Sequence, residues 1–307
     1  MFAFITRRVM QSVVTLLIAS IAVYGAMQLV PGDPVYAMFF PNVPSGERLE
    51  SIREQLGLND PFIVRYWNWL KGCLRGDFGK SFKQNREITE ILSQHIPPSI
   101  KLATAGLVVS VVLGITGGVI AGVTENYLVD NAVMFFALIG ISAPSFWLGL
   151  ILMLVFSLYL GWLPTSGTGG IAHLILPAFT LGFWGAGYLA RFTRNSVLEV
   201  KHREYVTTAR SKGLSEMKVT TRHILRNALI AVITMTGLLM GYYLGGAVIV
   251  ETVFGRPGVG HQLVNAISSK DFPVVQSLMI ITVSAFIFLN LIIDISYAYI
   301  DPRIRYN

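Results

Sequence analysis

Residues 102–123 read LATAGLVVSVVLGITGGVIAGV, a stretch without a single charged side chain. A helix needs about 20 apolar residues to cross the hydrocarbon core of a bilayer. Five small residues recur at every fourth position of this stretch, on one face of a helix: Gly106, Ser110, Gly114, Gly118 and Gly122. The stretch therefore predicts a membrane-spanning helix with one face suited to close packing.

The chain as a whole has the composition of a protein surrounded largely by lipid. Of its 307 residues, 53% are hydrophobic and 13% are charged, whereas soluble domains carry roughly 25% charged residues. Six uncharged runs approach the length of a spanning helix: 9–30, 102–123, 131–160, 174–190, 228–250 and 274–293. We expect an all-α polytopic membrane protein with six transmembrane helices. The third helix is expected to kink at Pro144 or to end before Leu160.

The Lys and Arg residues predict the orientation, because loops on the cytoplasmic side retain positive charge. Six spans put both termini on one side, together with the loop 191–227, which has nine basic and three acidic residues. We therefore expect cytoplasmic termini and an extracytoplasmic segment 31–98, named here the outer segment. Positive charge retained inside also explains the net charge of +7 without nucleic-acid binding, which we do not expect.

The outer segment contains residues typical of the beginnings and ends of short helices. Ser45 can cap a helix that ends at Gly57, and Pro61 suits the first turn of a second helix. A third short helix is expected from Glu87 to Gln94. These helices would form a small lid, or their aromatic residues would lie at the level of the lipid headgroups.

Several kinds of chemistry are missing from the sequence. The central parts of the six runs contain no Asp, Glu, Lys, Arg or His, whereas proton-coupled carriers generally need a titratable group at depth. The chain has one cysteine and no HExxH or Gly-x-Ser-x-Gly motif. Gly76 to Ser81 fits no nucleotide-binding motif and is expected to be a turn. The missing titratable group indicates that any energy input comes from outside the membrane, and it leaves open sodium coupling through backbone carbonyls and hydroxyls.

Residues 203–216, REYVTTARSKGLSE, are the most informative part of the basic loop. The first part favours a helix that ends at Gly213, because glycine is typical of helix C-termini. A second helix can follow from Ser215 to Leu225. Two short basic helices at an angle would form a rigid projection, which a span needs to exchange motion with a soluble motor. We name residues 203–226 the basic projection.

The basic projection resembles the coupling motif of binding-protein-dependent ABC permeases: Glu-Ala-Ala, three residues, Gly, nine residues, Ile-x-Leu-Pro. Ala209, Gly213 and Leu225 match this general form. The departures from it are Thr207, Thr208, His223 and Arg226.

The peptide/nickel branch of these permeases is matched more fully. Its pattern Tyr-x-x-Thr-Ala-Arg-x-Lys-Gly-Leu, followed by His-x-Leu-Arg-Asn-Ala, is matched by Tyr205, Thr208, Ala209, Arg210, Lys212, Gly213, Leu214, His223 and Leu225 to Ala228. Other segments typical of the branch are 31–34, 161–164, 251–254, 257–260 and 301–305. The resemblance covers about residues 1–307 and is to the first of two paired permeases.

This resemblance implies the type I ABC importer permease fold in a bacterial cytoplasmic (inner) membrane. A second permease would complete the pathway, two ABC ATPase subunits would hold ATP and Mg, and an extracytoplasmic binding protein would deliver the solute. This chain would then be non-catalytic and hold no cofactor. The implied division is 1–30 for the N-terminus and first span, 31–98 for the outer segment, 99–300 for the permease domain and 301–307 for the C-terminus.

Twelve residues are expected to couple the chain to an ATPase: Glu204, Tyr205, Thr208, Ala209, Arg210, Lys212, Gly213, Leu214, Arg222, His223, Leu225 and Arg226. Ala209 and Gly213 would make the tightest contact, and Arg210, Lys212 and Arg222 would pair with carboxylates of the motor. Six residues are expected to line or flank the pathway: Ser142, Pro144, Ser145, Gly237, Gly241 and Gly245. The small-residue runs also fit packing within the chain or against a partner permease.

The solute is less closely defined than the machinery. Members of the family import dipeptides, oligopeptides, glutathione, nickel or metal chelates. We favour di- or oligopeptides, with nickel, a metal chelate or glutathione as the alternative. A gradient-driven secondary transporter, which would carry solute without partner subunits, and an intramembrane enzyme are more distant alternatives.

Overall fold

The computed structural model describes residues 2–27, 35–36, 43, 46–55 and 58–300, and this part of the chain is mainly helical. The helices are α1 (Phe2–Ala26), α2 (Glu47–Gln55), α3 (Phe62–Leu74), α4 (Ile88–Val123), α5 (Tyr127–Ser142), α6 (Ser145–Leu152), α7 (Ala172–Lys201), α8 (Glu204–Ser211), α9 (Glu216–Lys218), α10 (Arg226–Val253), α11 (Val259–Ser268) and α12 (Phe272–Ile300). Two π-helical segments, Met153–Tyr159 and Val219–Leu225, extend α6 and join α9 to α10. A hairpin pairs β1 (Lys80–Ser81) antiparallel with β2 (Arg86–Glu87).

The described residues contain five continuous helices that are long and apolar enough to cross a membrane. A further pair, Tyr127–Ser142 and Ser145–Tyr159, is bent by 108° and makes a sixth span if counted as one. The bend confirms the kink expected at Pro144. Ala143 and Pro144 both have extended backbone, since proline disfavours helical geometry in the preceding residue.

The close packing expected for the small-residue face of α4 is confirmed, and its partner is α7 of the same chain. A Cβ added to Gly114 would lie 2.5 Å from Leu189 Cβ, and one added to Gly118 would lie 2.5 Å from the Ala190 carbonyl oxygen. Only glycine allows the two backbones to come this close. The small-residue face of α4 could serve packing within the chain or against a partner permease, and the structure supports packing within the chain.

The glycines of α10 have different surroundings. Gly237 faces Ile293 and Gly241 faces Phe286, both on α12, at 3.2 and 3.3 Å from an added Cβ. Gly245 has open space beside it, with no atom within 4 Å of an added Cβ. One glycine of this run is therefore not used for packing within the described chain.

Ion pairs join helix ends on the side of the basic projection. Arg194 of α7 donates through Nε and Nη2 to both carboxylate oxygens of Asp130 of α5, each at 2.6 Å. Arg8 of α1 contacts Asp294 of α12 at 3.1 Å. These pairs tie α5 to α7 and α1 to α12.

The outer segment contains two of the predicted helices, α2 and α3. Tyr66 of α3 hydrogen bonds through its hydroxyl to Ser20 of α1 at 2.8 Å. The rings of Tyr66 and Trp69 lie 5.8 and 5.1 Å from that of Tyr24, centroid to centroid. Part of the segment thus packs on the end of α1. The expected cap at Ser45 and helix end at Gly57 lie outside the described residues, as do residues 31–34 and 301–307.

The separate helix expected from Glu87 to Gln94 is wrong, because Glu87 ends β2 and residues 88–94 are the beginning of α4. The helix continues through Pro97 and Pro98 to Val123. Its first turns are held by burial: Ile88, Ile91 and Leu92 form a cluster with Ala266, Val274, Val275 and Leu278. This packing outweighs the backbone hydrogen bonds that the two prolines cannot donate.

Candidate functional site

The basic projection has a small hydrophobic core of its own. Val206 and Ala209 of α8 are buried against Val219 and Ile224 of the π-helical segment. Val197 of α7 and Ala228 of α10 complete the cluster. The projection is therefore packed onto the ends of two spans, which makes it a compact extension of the helical bundle.

Gly213 ends α8, as the sequence predicts. Its φ of +75° lies in the left-handed region, which costs a residue with a Cβ roughly 1–2 kcal/mol. The Gly213 N–H donates to the Arg210 carbonyl at 2.9 Å and the Leu214 N–H to the Ala209 carbonyl at 3.4 Å. These bonds satisfy carbonyls that the helix end leaves free.

Arg210 has a partner within the chain. Its Nε and Nη2 donate to Oε1 and Oε2 of Glu216 at 2.8 and 3.2 Å. These hydrogen bonds raise the pKa of Arg210 above its ordinary value. The side chain thus joins the two arms of the projection across Gly213, and its expected pairing with a carboxylate of the motor stays a prediction. Lys212 and Arg222 are exposed.

The twelve predicted coupling residues divide into two sets. The exposed ones are Glu204, Tyr205, Thr208, Lys212, Gly213, Arg222 and Arg226. The partly or fully buried ones are Ala209, Arg210, Leu214, His223 and Leu225. Ala209 is only 5% exposed and packs in the core of the projection, and its expected tight contact with an ATPase stays a prediction. The coupling role of the set stays a prediction.

Sequence reasoning missed Met217 at the tip of the projection. Its side chain is 76% exposed, between the charged Glu216 and Lys218. A large apolar residue that stands alone in a charged stretch is the signal that could have identified it. An exposed methionine suits a contact with a partner surface, because its flexible thioether adapts to irregular gaps.

The predicted pathway residues lie on two neighbouring elements. Ser142 and Pro144 are exposed and Ser145 is half-buried at the bend between α5 and α6. Helix α6 packs against α10, which carries Gly237, Gly241 and Gly245. Their role in a pathway stays a prediction.

Two buried carboxylates near the outer segment were also missed. Glu251, at the end of α10, and Asp271, before α12, are each 1% exposed. The sequence signal for Glu251 is an acidic residue at the end of an apolar run, a few positions before the turn-forming residues Gly255, Pro257 and Gly258. Its neighbour Arg256 is 6% exposed and donates to the His173 carbonyl at 2.9 Å.

Comparison with known proteins assigns the family. Residues 114–306 match the family described as "Binding-protein-dependent transport system inner membrane component". Residues 1–103 match the family described as "Binding-prot-dependent transport system membrane comp, N-term". The two matches together span nearly the whole chain.

Full-length relatives have transport names. The "Glutathione transport system permease protein GsiC" of Escherichia coli (strain K12) is 40% identical over 306 residues, covering 100% of both chains. A "Putative peptide transport system permease protein" of Brucella abortus (strain 2308) is 39% identical over 315 residues, again covering 100% of both.

Two solved structures share the fold. One is "Inward facing conformations of the MetNI methionine ABC transporter: CY5 native crystal form", with a TM-score of 0.56 and 16% identity over 69% of this chain and 96% of that one. The other is "Crystal structure of an amino acid ABC transporter with histidines", with a TM-score of 0.56 and 13% identity over 69% of this chain and 94% of that one. The helical arrangement, the basic projection and these similarities agree: the chain belongs to the binding-protein-dependent transport system inner membrane components and is an ABC importer permease.

Proposed function

We propose that this permease imports small peptides, a class that includes glutathione, together with a second and different permease. The supporting observation is its 39–40% identity, over the full length of both chains, to permeases named for glutathione and peptide transport. Nickel and metal chelates remain the alternative cargo, and a binding protein outside the membrane would select among these solutes.

The basic projection is proposed to dock on one of two ATPase subunits. Its own core and the Arg210–Glu216 pair hold its two arms together, so it can transmit force without collapsing. Met217 would supply an apolar contact, and Lys212 and Arg222 would steer the approach of an acidic motor surface. Exposed charges at the edge of an interface affect the association rate and its salt dependence more than they affect affinity.

The orientation follows from this docking. The ATPases act in the cytoplasm, so the basic projection and both termini would be cytoplasmic and the outer segment extracytoplasmic. The bend at Ala143–Pro144 and the open side of Gly245, where an added Cβ meets no atom within 4 Å, would flank the pathway.

Reconstitution tests the proposal. Proteoliposomes would contain this chain, the second permease, both ATPases and the binding protein, with ATP or a non-hydrolysable analogue. Uptake would be measured for radiolabelled glutathione, radiolabelled dialanine and radioactive nickel. We expect ATP-dependent uptake of at least one of the two peptides. Uptake of nickel alone would replace the peptide assignment, and gradient-driven flux through this chain alone would overturn the importer mechanism.

A further inference from the structure

Glu251 holds together three helices at the end of the bundle nearest the outer segment. Its Oε1 accepts a hydrogen bond from the Ser99 hydroxyl of α4 at 2.5 Å. Its Oε2 accepts the N–H groups of Gly260 and His261 at 2.8 and 3.2 Å. The Val259 N–H donates to Ser99 Oγ at 2.8 Å. Three N–H groups in the first turn of α11 are thus satisfied by side chains of α4 and α10.

Asp271 makes a second junction of similar construction. It accepts a hydrogen bond from the hydroxyl of Ser81 in β1, and its own carbonyl accepts the Val275 N–H at 3.0 Å in the first turn of α12. Because β2 runs directly into α4, the segment 254–271 is fastened at both ends to α4 or to the hairpin that leads into it. We name this segment the elbow.

The backbone of the elbow fits closely around Glu251. A Cβ on Gly258 would lie 2.1 Å from the Glu251 carboxyl group, and one on Gly260 would lie 2.4 Å from Val248 Cα. The N-terminus of α11 is therefore held against the end of α10 by contact as well as by hydrogen bonds.

Helix α10 also connects this junction with the basic projection. Glu216–Val253 runs as one helical element of 38 residues, roughly 55 Å long at 1.5 Å per residue. Glu251 lies near one end of this element and the tip of the projection lies at the other. A single helical element therefore links the projection to the Glu251 junction.

We propose that Glu251 is a positioning residue for transport: by joining α10 to α4 and α11, it carries movement of the basic projection to the elbow. This inference rests on the proposed coupling to ATPases. A carboxylate suits the role because one oxygen can accept two N–H groups while the other accepts a hydroxyl. Glutamine keeps an acceptor for the N–H groups and an amide that can donate to Ser99, whereas alanine leaves buried groups without partners.

A fluorescent label on the elbow provides the test. Ile267 of α11 is 56% exposed, and a cysteine there, with Cys73→Ser in the background, reports the environment of the elbow. The label would be read in the assembled complex before and after ATP binding, with a second label at Thr207 on the projection. We expect both labels to respond in otherwise wild-type protein. In Glu251→Ala the Ile267 response should be lost while the Thr207 response remains.

Matched variants separate positioning from folding. Glu251→Gln should keep the Ile267 response, as should Glu90→Gln, which alters an exposed carboxylate of α4. Should Glu251→Ala fail to assemble, Ser99→Ala removes one hydroxyl from the same junction and is expected to weaken the response. A silent Ile267 label in an active wild-type complex, or an unchanged response in both Glu251→Ala and Ser99→Ala, would overturn the inference. A wild-type complex that neither hydrolyses ATP nor imports solute would instead reject the proposed function.

Discussion

The hydroxyl of Tyr243 occupies space that exists because residue 185 is glycine: a Cβ added to Gly185 would lie 1.8 Å from Tyr243 Oη. Tyr243 is on α10 and Gly185 on α7. The same hydroxyl hydrogen bonds with Ser110 of α4, whose Oγ donates to the Gly182 carbonyl at 2.6 Å. One buried phenol therefore joins the three central helices.

Gly185→Ala is expected to destabilise the protein severely. The new methyl group would displace the Tyr243 hydroxyl and break its bond with Ser110, because the added Cβ lies far inside van der Waals contact. Folded protein would be measured by size exclusion and thermal unfolding in detergent. Gly25→Ala is the control, since an added Cβ there meets no atom within 4 Å.

Tyr243→Phe separates the steric effect from the hydrogen bond. It removes only the hydroxyl, and side-chain hydrogen bonds within membranes are worth about 0.6 kcal/mol on average. A small loss of stability in this variant beside a large one in Gly185→Ala is the expected pattern. Equal losses would mean that the contact at Gly185 is not the dominant factor.

Gly213→Val is expected to uncouple ATP hydrolysis from transport while the membrane part still folds. The space around Gly213 is open, so the substitution acts through its φ of +75°, which a β-branched residue strongly disfavours. Gly213→Asn is the matched variant, because asparagine tolerates left-handed geometry, and it should retain function. Solute-stimulated ATPase activity in the reconstituted complex is the measurement. Normal stimulation in Gly213→Val would rule out the turn as part of coupling.

Arg210→Ala and Glu216→Ala are expected to have similar effects, and the double variant should be little worse than either. The reason is that the two side chains hydrogen bond to each other, so removing one already removes the interaction. Retention of the ATPases on the purified permease would be measured at low and high salt. Additive losses would indicate that Arg210 binds a carboxylate of the motor as well.

The features that could be predicted from the sequence are those determined by residues close together in the chain. The small-residue face of α4, the bend at Pro144 and the helix end at Gly213 each follow from the shape of one residue type. The continuation of α4 through Pro97 and Pro98 could not be predicted, since it depends on burial against α12, far along the chain.

The interactions that were missed join residues without a regular spacing. Glu251 and Ser99 are 152 positions apart, so neither residue alone indicates the junction. Arg210 and Glu216 are six positions apart, and they meet only because a left-handed turn separates two short helices. Pairs within a single helix lie three or four residues apart, so this pair did not stand out.

Asp271 predicts a pH dependence of stability. Burial raises the pKa of its carboxyl above the ordinary value, and the hydrogen bond from Ser81 opposes this only in part. The folded state therefore holds the proton more tightly than the unfolded state does. The free energy of unfolding should fall as the pH rises from the ordinary Asp pKa, about 3.9, through the raised value.

Asp271→Asn should remove this part of the pH dependence, because the amide does not ionise. Thermal unfolding between about pH 4 and pH 8 would be compared in wild type, Asp271→Asn and the control Asp60→Asn, which alters an exposed carboxylate of the outer segment. The same slope in all three proteins would contradict the assignment.

Cysteine labelling is expected to place the outer segment on the extracytoplasmic side of the membrane. Gln84 is exposed in the turn of the hairpin, and it is a better position than Asn85, whose φ is +51°. A membrane-impermeant maleimide should label Gln84→Cys in intact cells and Thr207→Cys only after the membrane is permeabilised. Labelling in the opposite pattern would reverse the orientation.

The native Cys73 should interfere little with this experiment. Burial raises the pKa of its thiol to about 11, so near neutral pH its thiolate fraction is roughly 300-fold below that of a thiol with a pKa of about 8.5. Wild-type protein should therefore label slowly, and its rate should rise about tenfold for each pH unit towards pH 10. Rapid labelling of the wild type at neutral pH would show that Cys73 is less shielded than its place in α3 indicates, and Cys73→Ser would then be needed as the background.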